Sequence, residues 1–310
     1  MADSKIVTGN REDLVLDISR CLPVRFSESK CRSCVDICPH VAVTLDGSLA
    51  VNKDLCRGCL LCTAVCPTGA LEQSADFHAC LARLSKVTEP VMGCIRTKES
   101  SNASLACLGG LSEEHLLALC HSLTGKLTLN LSLCTGCSNN SMKTILKRML
   151  AALASAGLFE GGCRITLAES VAEVQYHDES IDRRGFFRSF RTALFQSTDV
   201  IMTATGEEIS RHTPYGEKRL PEKRVLLNRI RKRLSEEMDT RIRHYFDLRA
   251  NFNENCTACQ ACVAICPTGA LHAEQLDAPP AFDRLLCTGC GLCSEFCLAN
   301  ALLIGPQRAS

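Results

Sequence analysis

The chain has 310 residues, 46% of them hydrophobic and 22% charged, enough for about two ordinary domains or three small ones and too apolar for a disordered tail. Basic and acidic side chains number 35 and 34, a formal net charge of +1, so no chain-wide attraction to nucleic acid or to an anionic membrane is available. No run approaches the roughly 18 apolar residues of a membrane span, and Met1 to Asp17 carries charge where a signal peptide needs an apolar stretch. The expectation is a soluble, cytoplasmic chain.

Cysteine is the outlier, with 23 residues and no tryptophan. A disulfide scaffold suits a short secreted chain, but here the cysteines follow one another two residues apart, too close for each to find a separate bridging partner. In a reducing compartment such runs mean metal. Eight cysteines lie between Cys21 and Cys66, eight between Cys256 and Cys297, and four more, Cys94, Cys107, Cys134 and Cys137, stand between the blocks. The blocks repeat one another: Cys66-Pro67-Thr68-Gly69-Ala70-Leu71 recurs letter for letter as Cys266-Pro267-Thr268-Gly269-Ala270-Leu271. One small module is used twice.

In chain order, residues 1–75 form the first module. Its second half, Cys56, Cys59, Cys62 and Cys66-Pro67, is complete; its first half has Cys31, Cys34 and Cys38-Pro39, with Glu28 at the leading position. Residues 76–170 form a central domain. Pro90 to Cys94, Leu105 to Leu108, Lys126 to Leu131 and Arg164 to Ala168 read as strands; Ser112-Glu113-Glu114 opens a helix running to Leu123, and Ser141 to Ala156 is a second. Strands alternating with helices argue a small parallel α/β unit. Cys94, Cys107, Cys134 and Cys137 fall at or just after strand ends, where open α/β sheets gather ligands. Cys80 and Cys120 read as small buried hydrophobes, and His40, His78, His115 and His121 have no ligand spacing.

Residues 171–250 form a cysteine-free helical connector. Phe186 to Phe195 and Pro221 to Tyr245 have helical spacing. The second is preceded and opened by Lys218, Arg219, Lys223, Arg224, Arg229, Arg231, Lys232 and Arg233 against the single acid Glu222. That run is a solvated helix face or a docking surface for an acidic partner. Asp182-Arg183-Arg184-Gly185-Phe186-Phe187-Arg188 is similar to the twin-arginine export consensus, but it lies mid-chain with Arg191 and Asp199 where an apolar region is required.

Residues 251–310 are the second module. Cys256, Cys259, Cys262 and Cys266-Pro267, then Cys287, Cys290, Cys293 and Cys297, resemble the bacterial ferredoxin with two 4Fe-4S clusters. The resemblance implies that three cysteines of each run hold one cubane while the fourth reaches the other. It implies one cluster on Cys256, Cys259, Cys262 and Cys297, and another on Cys287, Cys290, Cys293 and Cys266. Zinc would use CxxC in pairs and leave the third cysteine of each triplet idle. The first module resembles the same ferredoxin, with Cys21 the substitute for the missing leading cysteine. The implied sets are Cys21, Cys31, Cys34 and Cys66, then Cys56, Cys59, Cys62 and Cys38. The alternative is a three-iron or site-differentiated cluster beside an ordinary buried Cys21.

The central stretch Leu105 to Leu111 followed by Leu133-Cys134-Thr135-Gly136-Cys137 resembles the iron-sulfur delta subunit of methyl-viologen-reducing hydrogenase. This implies a 2Fe-2S cluster there; zinc and unliganded thiols stay open. The expected fold class is α+β, two dicluster ferredoxin-like modules flanking a small α/β domain and a helical connector. Neither GxGxxG after a strand nor GxxxxGK[ST] is present. The expected function is a polyferredoxin-like electron-transfer subunit carrying four 4Fe-4S clusters. Its partners would be a catalytic oxidoreductase, of hydrogenase, formate dehydrogenase or tungsten/molybdenum type, and a redox carrier. The alternative is a reductase whose central cysteines are catalytic.

Overall fold

A computed structural model of the chain describes residues 12–177 and 217–306. The helix expected at Phe186 to Phe195 and the Asp182 to Arg188 motif lie outside those residues. Among the described residues no helix is long and apolar enough to cross a membrane. Mixed short helices and small sheets make the fold α+β. Two compact units divide the described chain: residues 12–56, 65–72 and 217–306 in one, and 57–64 and 73–177 in the other.

The first module contributes β1 (Leu14–Leu16), α1 (Leu22–Arg25), α2 (Ser33–Asp36), β2 (Val43–Thr44), β3 (Ala50–Val51), α3 (Leu61–Val65) and β4 (Leu71–Gln73). Strands β2 and β3 form an antiparallel hairpin with Val43 opposite Val51, and β1 pairs with β4. These elements are too short to bury a core by themselves.

The central unit is better packed. Helix α4 (Phe77–Leu84) is capped by Asp76, whose Oδ1 accepts the Ala79 N–H at 2.9 Å. Four strands follow, β5 (Val91–Cys94), β6 (Ala103–Leu105), β7 (Lys126–Asn130) and β8 (Arg164–Ala168), with helices α5 (Glu113–Ser122) and α6 (Met142–Ser155) between them. The sheet is parallel throughout, in the order β6-β5-β7-β8, with Lys126 opposite Arg164 and Asn130 opposite Ala168. Strand β6 ends at Leu105, short of the expected Leu108, because Leu108–Gly110 turns into a 3₁₀ helix.

Between β5 and β6 the crossover is a pair of 3₁₀ turns, Ile95–Ser100, kinked at Thr97 and folded back onto the strand. Gly93 permits it: a Cβ there would lie 2.3 Å from Thr97 Oγ1 and 2.2 Å from Ser101 Oγ. Helix α5 starts as expected at Ser112, whose hydroxyl accepts the His115 N–H at 3.4 Å while His115 Nδ1 accepts the Ser112 N–H at 3.2 Å. His115 is therefore a buried cap, packed edge-on against Phe77. Leu116, Leu117, Leu119 and Cys120 are fully buried on α5. Cys120 donates its thiol to the Cys163 carbonyl at 3.3 Å, and Cys80 is only half-buried, with its thiol on the Ser104 carbonyl.

The long helix expected from Pro221 to Tyr245 is two helices, α7 (Glu222–Arg231) and α8 (Glu236–Phe246). Ser235 breaks the run, since its hydroxyl accepts the Met238 N–H at 3.3 Å as an N-cap and Glu236, Glu237 and Asp239 follow in the first turn. The basic run is also not one solvated face. Arg224 and Arg231 are buried against buried Asp247, Arg231 Nη1 and Nη2 reaching the two carboxylate oxygens at 2.9 and 3.1 Å and Arg224 Nη2 reaching Oδ1 at 3.2 Å. Their methylene stems fall on the apolar side of α7 beside Leu227, so burial required a carboxylate to meet them.

The second module consists of β9 (Leu248–Phe252), α9 (Ala261–Ile265), β10 (Leu271–His272), β11 (Ala281–Phe282), α10 (Leu292–Glu295) and β12 (Leu302–Pro306). Strands β9 and β12 run antiparallel with Phe252 opposite Leu302 and Leu248 opposite Pro306, so β9 crosses the boundary expected at 250/251.

Candidate metal centres

A side chain three or four residues ahead of each complete triplet first tightens the backbone. Asn52, Asn253 and Asp283 each accept a backbone N–H two residues on, at 2.9, 3.0 and 2.8 Å, in the turns that lead to Cys56, Cys256 and Cys287. The triplet itself then takes a left-handed backbone at its third and fifth positions: Gly58 and Leu60, Ala258 and Gln260, Gly289 and Gly291 all have φ between 53° and 76°. Such loops turn successive N–H groups toward one concavity and favour an anionic group there. The run beginning at Glu28 lacks this pattern; Arg32, its fifth position, has φ −131°.

A second regularity follows the fourth cysteine of each run. Val41, Gly69, Gly269 and Asn300, each three residues after Cys38, Cys66, Cys266 and Cys297, have φ of 49°, 69°, 77° and 49°. The turn brings the next N–H back to the thiol in two of them, Ala42 N to Cys38 Sγ and Ala301 N to Cys297 Sγ, both 3.3 Å. In the two CPTGAL copies a threonine hydroxyl lies 3.8 Å from Cys66 Sγ and 3.7 Å from Cys266 Sγ. Val41 holds a conformation that a β-branched residue rarely adopts, and sequence inspection did not single it out. Its signal was its place, three residues after Cys38-Pro39.

Cys21, Cys31, Cys34 and Cys66 line one cavity, with Pro67, Thr68 and Leu71 among its walls. Glu28 is exposed. Cys266, Cys287, Cys290 and Cys293 line another, and each cavity encloses about 320 Å³ of empty space, mouth included. Among the described residues no three His, Cys, Asp or Glu side chains gather around one point as a single metal ion needs; these thiols surround a volume instead. Two of the buried donors near these cavities that find no acceptor among the described residues bear on what the cavities can hold. They are the Thr288 hydroxyl, on the wall of the second cavity, and Nη1 of Arg20, whose Nε–H is held by the Thr68 carbonyl at 2.6 Å. Unpartnered buried donors fit a sulfur-rich anionic group.

Cys256, Cys259, Cys262 and Cys297 are less enclosed; burial, then the charges of Cys259 and Cys297, raise the Cys262 pKa. Of the remaining set, Cys38 and Cys56 belong to the first compact unit, and Cys59 and Cys62 to the second.

In the central unit, Cys94 ends β5, Cys107 follows β6 and Cys134 and Cys137 follow β7, three adjacent parallel strands whose carboxyl ends share one edge. The chain leaves β5 on one side to make β6 and returns on the other as β7, so this edge is the sheet's topological switch point. Burial first, then the charges of Cys94, Cys59 and Cys134, pushes the Cys107 thiol up to about 12. At Cys137 burial acts upward but is outweighed by the Asn139 N–H and the Arg96 guanidinium, and its pKa is lowered. The four expected cysteines thus lie along one edge of the sheet, with Arg96 beside Cys137. Cys59 reaches the same region because Gly109 lets it approach: a Cβ on Gly109 would stand 2.3 Å from the Cys59 carbonyl oxygen. Gly109→Ala should therefore cost about 1–3 kcal/mol, read as a lower urea midpoint. Gly110→Ala, whose Cβ meets the nearest atom at 3.0 Å, should cost less.

A family model described as a 4Fe-4S dicluster domain matches residues 29–70, and another of the same description matches residues 255–302. The chain carries a 4Fe-4S dicluster ferredoxin domain near each end. An uncharacterized ferredoxin of Methanocaldococcus jannaschii is 28% identical over 122 residues, 39% of this chain and 68% of that one. The pyruvate synthase subunit PorD of the same organism is 34% identical over 59 residues, 18% of this chain and 60% of the relative. Indolepyruvate oxidoreductase subunit IorA of Methanothermobacter marburgensis is 38% identical over 55 residues, 16% of this chain and 9% of the relative. The chain thus spans less than two thirds of the length of the last two. No solved structure matches it. The two terminal domains are thus of ferredoxin type, and the relatives they match include oxidoreductase subunits.

Burial disfavours the thiolate at several enclosed cysteines of the two dicluster domains. Burial first, then the neighbouring thiol charges, pushes Cys21, Cys34, Cys290 and Cys293 each up to about 12; for Cys290 those neighbours are Cys266, Cys287 and Cys31. Cys266 differs, lowered in spite of burial by the N–H groups of Leu271, Thr268 and Ala270. Iron must displace these protons. Iron uptake by the apo-protein at fixed free iron and sulfide should fall as pH is lowered and rise as it is raised. Uptake independent of pH, followed by absorbance near the iron-sulfur bands, would contradict this.

Proposed function

We propose that the chain relays single electrons between a catalytic oxidoreductase and a second redox carrier, using four 4Fe-4S clusters and a fifth, central 2Fe-2S site. The proposed ligand sets are Cys21, Cys31, Cys34 and Cys66; Cys38, Cys56, Cys59 and Cys62; Cys256, Cys259, Cys262 and Cys297; Cys266, Cys287, Cys290 and Cys293; and, centrally, Cys94, Cys107, Cys134 and Cys137. The observation that carries this reading is the pair of cavities each lined by four cysteines, one from each dicluster domain. Bound clusters supply reversible one-electron oxidation and reduction. The protein's part is to fix the thiols, exclude water and aim N–H groups at sulfur.

The names of the relatives add pyruvate synthase and indolepyruvate oxidoreductase types to the candidate catalytic partners, beside hydrogenase, formate dehydrogenase and tungsten or molybdenum enzymes. The test is anaerobic affinity isolation of the native chain, followed by addition of the co-isolated oxidoreductase's substrate. Bleaching of the iron-sulfur absorbance by that substrate is expected. Bleaching by dithionite but by no substrate of a co-isolated enzyme would overturn the relay.

The lowered pKa of half-buried Cys137 beside Arg96 favours a second reading, in which Cys134 and Cys137 are a redox-active pair. That reading requires the isolated, reduced chain to turn over a disulfide acceptor without a partner.

A further inference from the structure

One cysteine set from each dicluster domain abuts a single apolar core. Leu22, next to Cys21, packs with Ile265, next to Cys266, and with Leu292, which lies between Cys290 and Cys293; all three are buried. Cys31 and Cys290 pack against that trio themselves, together with Phe26 and Phe296. The two rings meet edge to face with centroids 5.1 Å apart, and the Lys30 N–H reaches Glu295 Oε1 at 3.3 Å.

A strap of the connector laces the same two sets from behind. Buried Arg20 donates to the Thr68 carbonyl in one CPTGAL copy and, through Nη2 at 2.8 Å, to the Arg219 carbonyl. The Arg219 N–H in turn donates to the Pro267 carbonyl of the other copy at 3.2 Å. Lys218 Nζ binds the Val263 and Ala264 carbonyls at the end of α9, at 3.2 and 2.6 Å. Both CPTGAL loops are thereby tied to the two connector residues Lys218 and Arg219. None of the cysteines in the other two proposed sets belongs to the shared core.

We infer that the Cys21, Cys31, Cys34, Cys66 site and the Cys266, Cys287, Cys290, Cys293 site form one electrostatically coupled pair that joins the two dicluster domains. The inference rests on the four-cluster reading above. Its physical basis is the apolar contact: charge added at one site is felt at the other through buried Leu22, Ile265 and Leu292, where screening is weak. The outer sites interact each within its own domain.

Serine in place of single cysteines tests this on the full chain, by redox titration followed with electron paramagnetic resonance. Cys290→Ser alters the inner site of the C-terminal domain. It should displace the midpoints of two other clusters, the intradomain neighbour and the inner site of the N-terminal domain. Cys256→Ser alters the outer site and should displace only one. If both variants displace a single other midpoint, the coupling is overturned. If Cys290→Ser does not assemble, Cys293→Ser probes the same site from another corner. Failure of the four-cluster reading is distinguishable, because it shows as a wild-type chain with far fewer than about sixteen irons before any substitution.

Discussion

Replacing Cys21 with serine should remove or cripple one cluster of the N-terminal dicluster domain. About four of some sixteen irons should be lost, or a three-iron signal should appear in electron paramagnetic resonance, since each cluster type has fixed stoichiometry. Glu28→Ala should leave the iron content unchanged. The reasons are geometric. Cys21 lines the cavity that also receives Cys31, Cys34 and Cys66, whereas Glu28 is exposed and its loop lacks the left-handed pair of residues found in the three complete triplets. Iron lost from Glu28→Ala and retained in Cys21→Ser would mean that a carboxylate completes the site.

The spacing of the sixteen terminal cysteines carried the α+β fold class and the two dicluster domains, because a CxxCxxC loop has few ways to close around a cubane. Strand β8 was legible to the residue, and the start of α5 was fixed by Ser112 and the two glutamates behind it. Strand β6 was misplaced by its apolar continuation into Leu108, where Gly109 and Gly110 admit a tight turn instead. The connector was legible in periodicity but not in register. Nothing in the run from Lys218 to Arg233 marks Asp247 as the acid that buries Arg224 and Arg231, since that partner lies beyond the next helix. Tertiary contact of that kind also hid the shared core of Leu22, Ile265 and Leu292, which are drawn from three separate short helices.

Reversing the charge at Arg231 should destabilise the C-terminal part of the chain outright. Its guanidinium spans Asp239 at 2.7 Å and both oxygens of Asp247, which is 2% exposed. Arg231→Glu would leave Asp247 short of one partner and add a second buried acid, a loss of about 3–5 kcal/mol for a broken buried pair. The check is a urea midpoint. Arg233→Glu, at an exposed position within the break between α7 and α8, should stay within about 0.5 kcal/mol of wild type. Any docking role for the basic run must therefore be sought with Lys232 and Arg233, leaving Arg231 intact. Equal stability of the two variants would show that the Asp247 network does not hold the helices.

Iron and acid-labile sulfide analysis of the anaerobically purified full chain, with spin counting after reduction, tests the central claim most directly. Four cubanes predict about sixteen irons per chain, and a central 2Fe-2S site raises the figure to about eighteen. A count near eight, with spins from one domain only, would contradict the account.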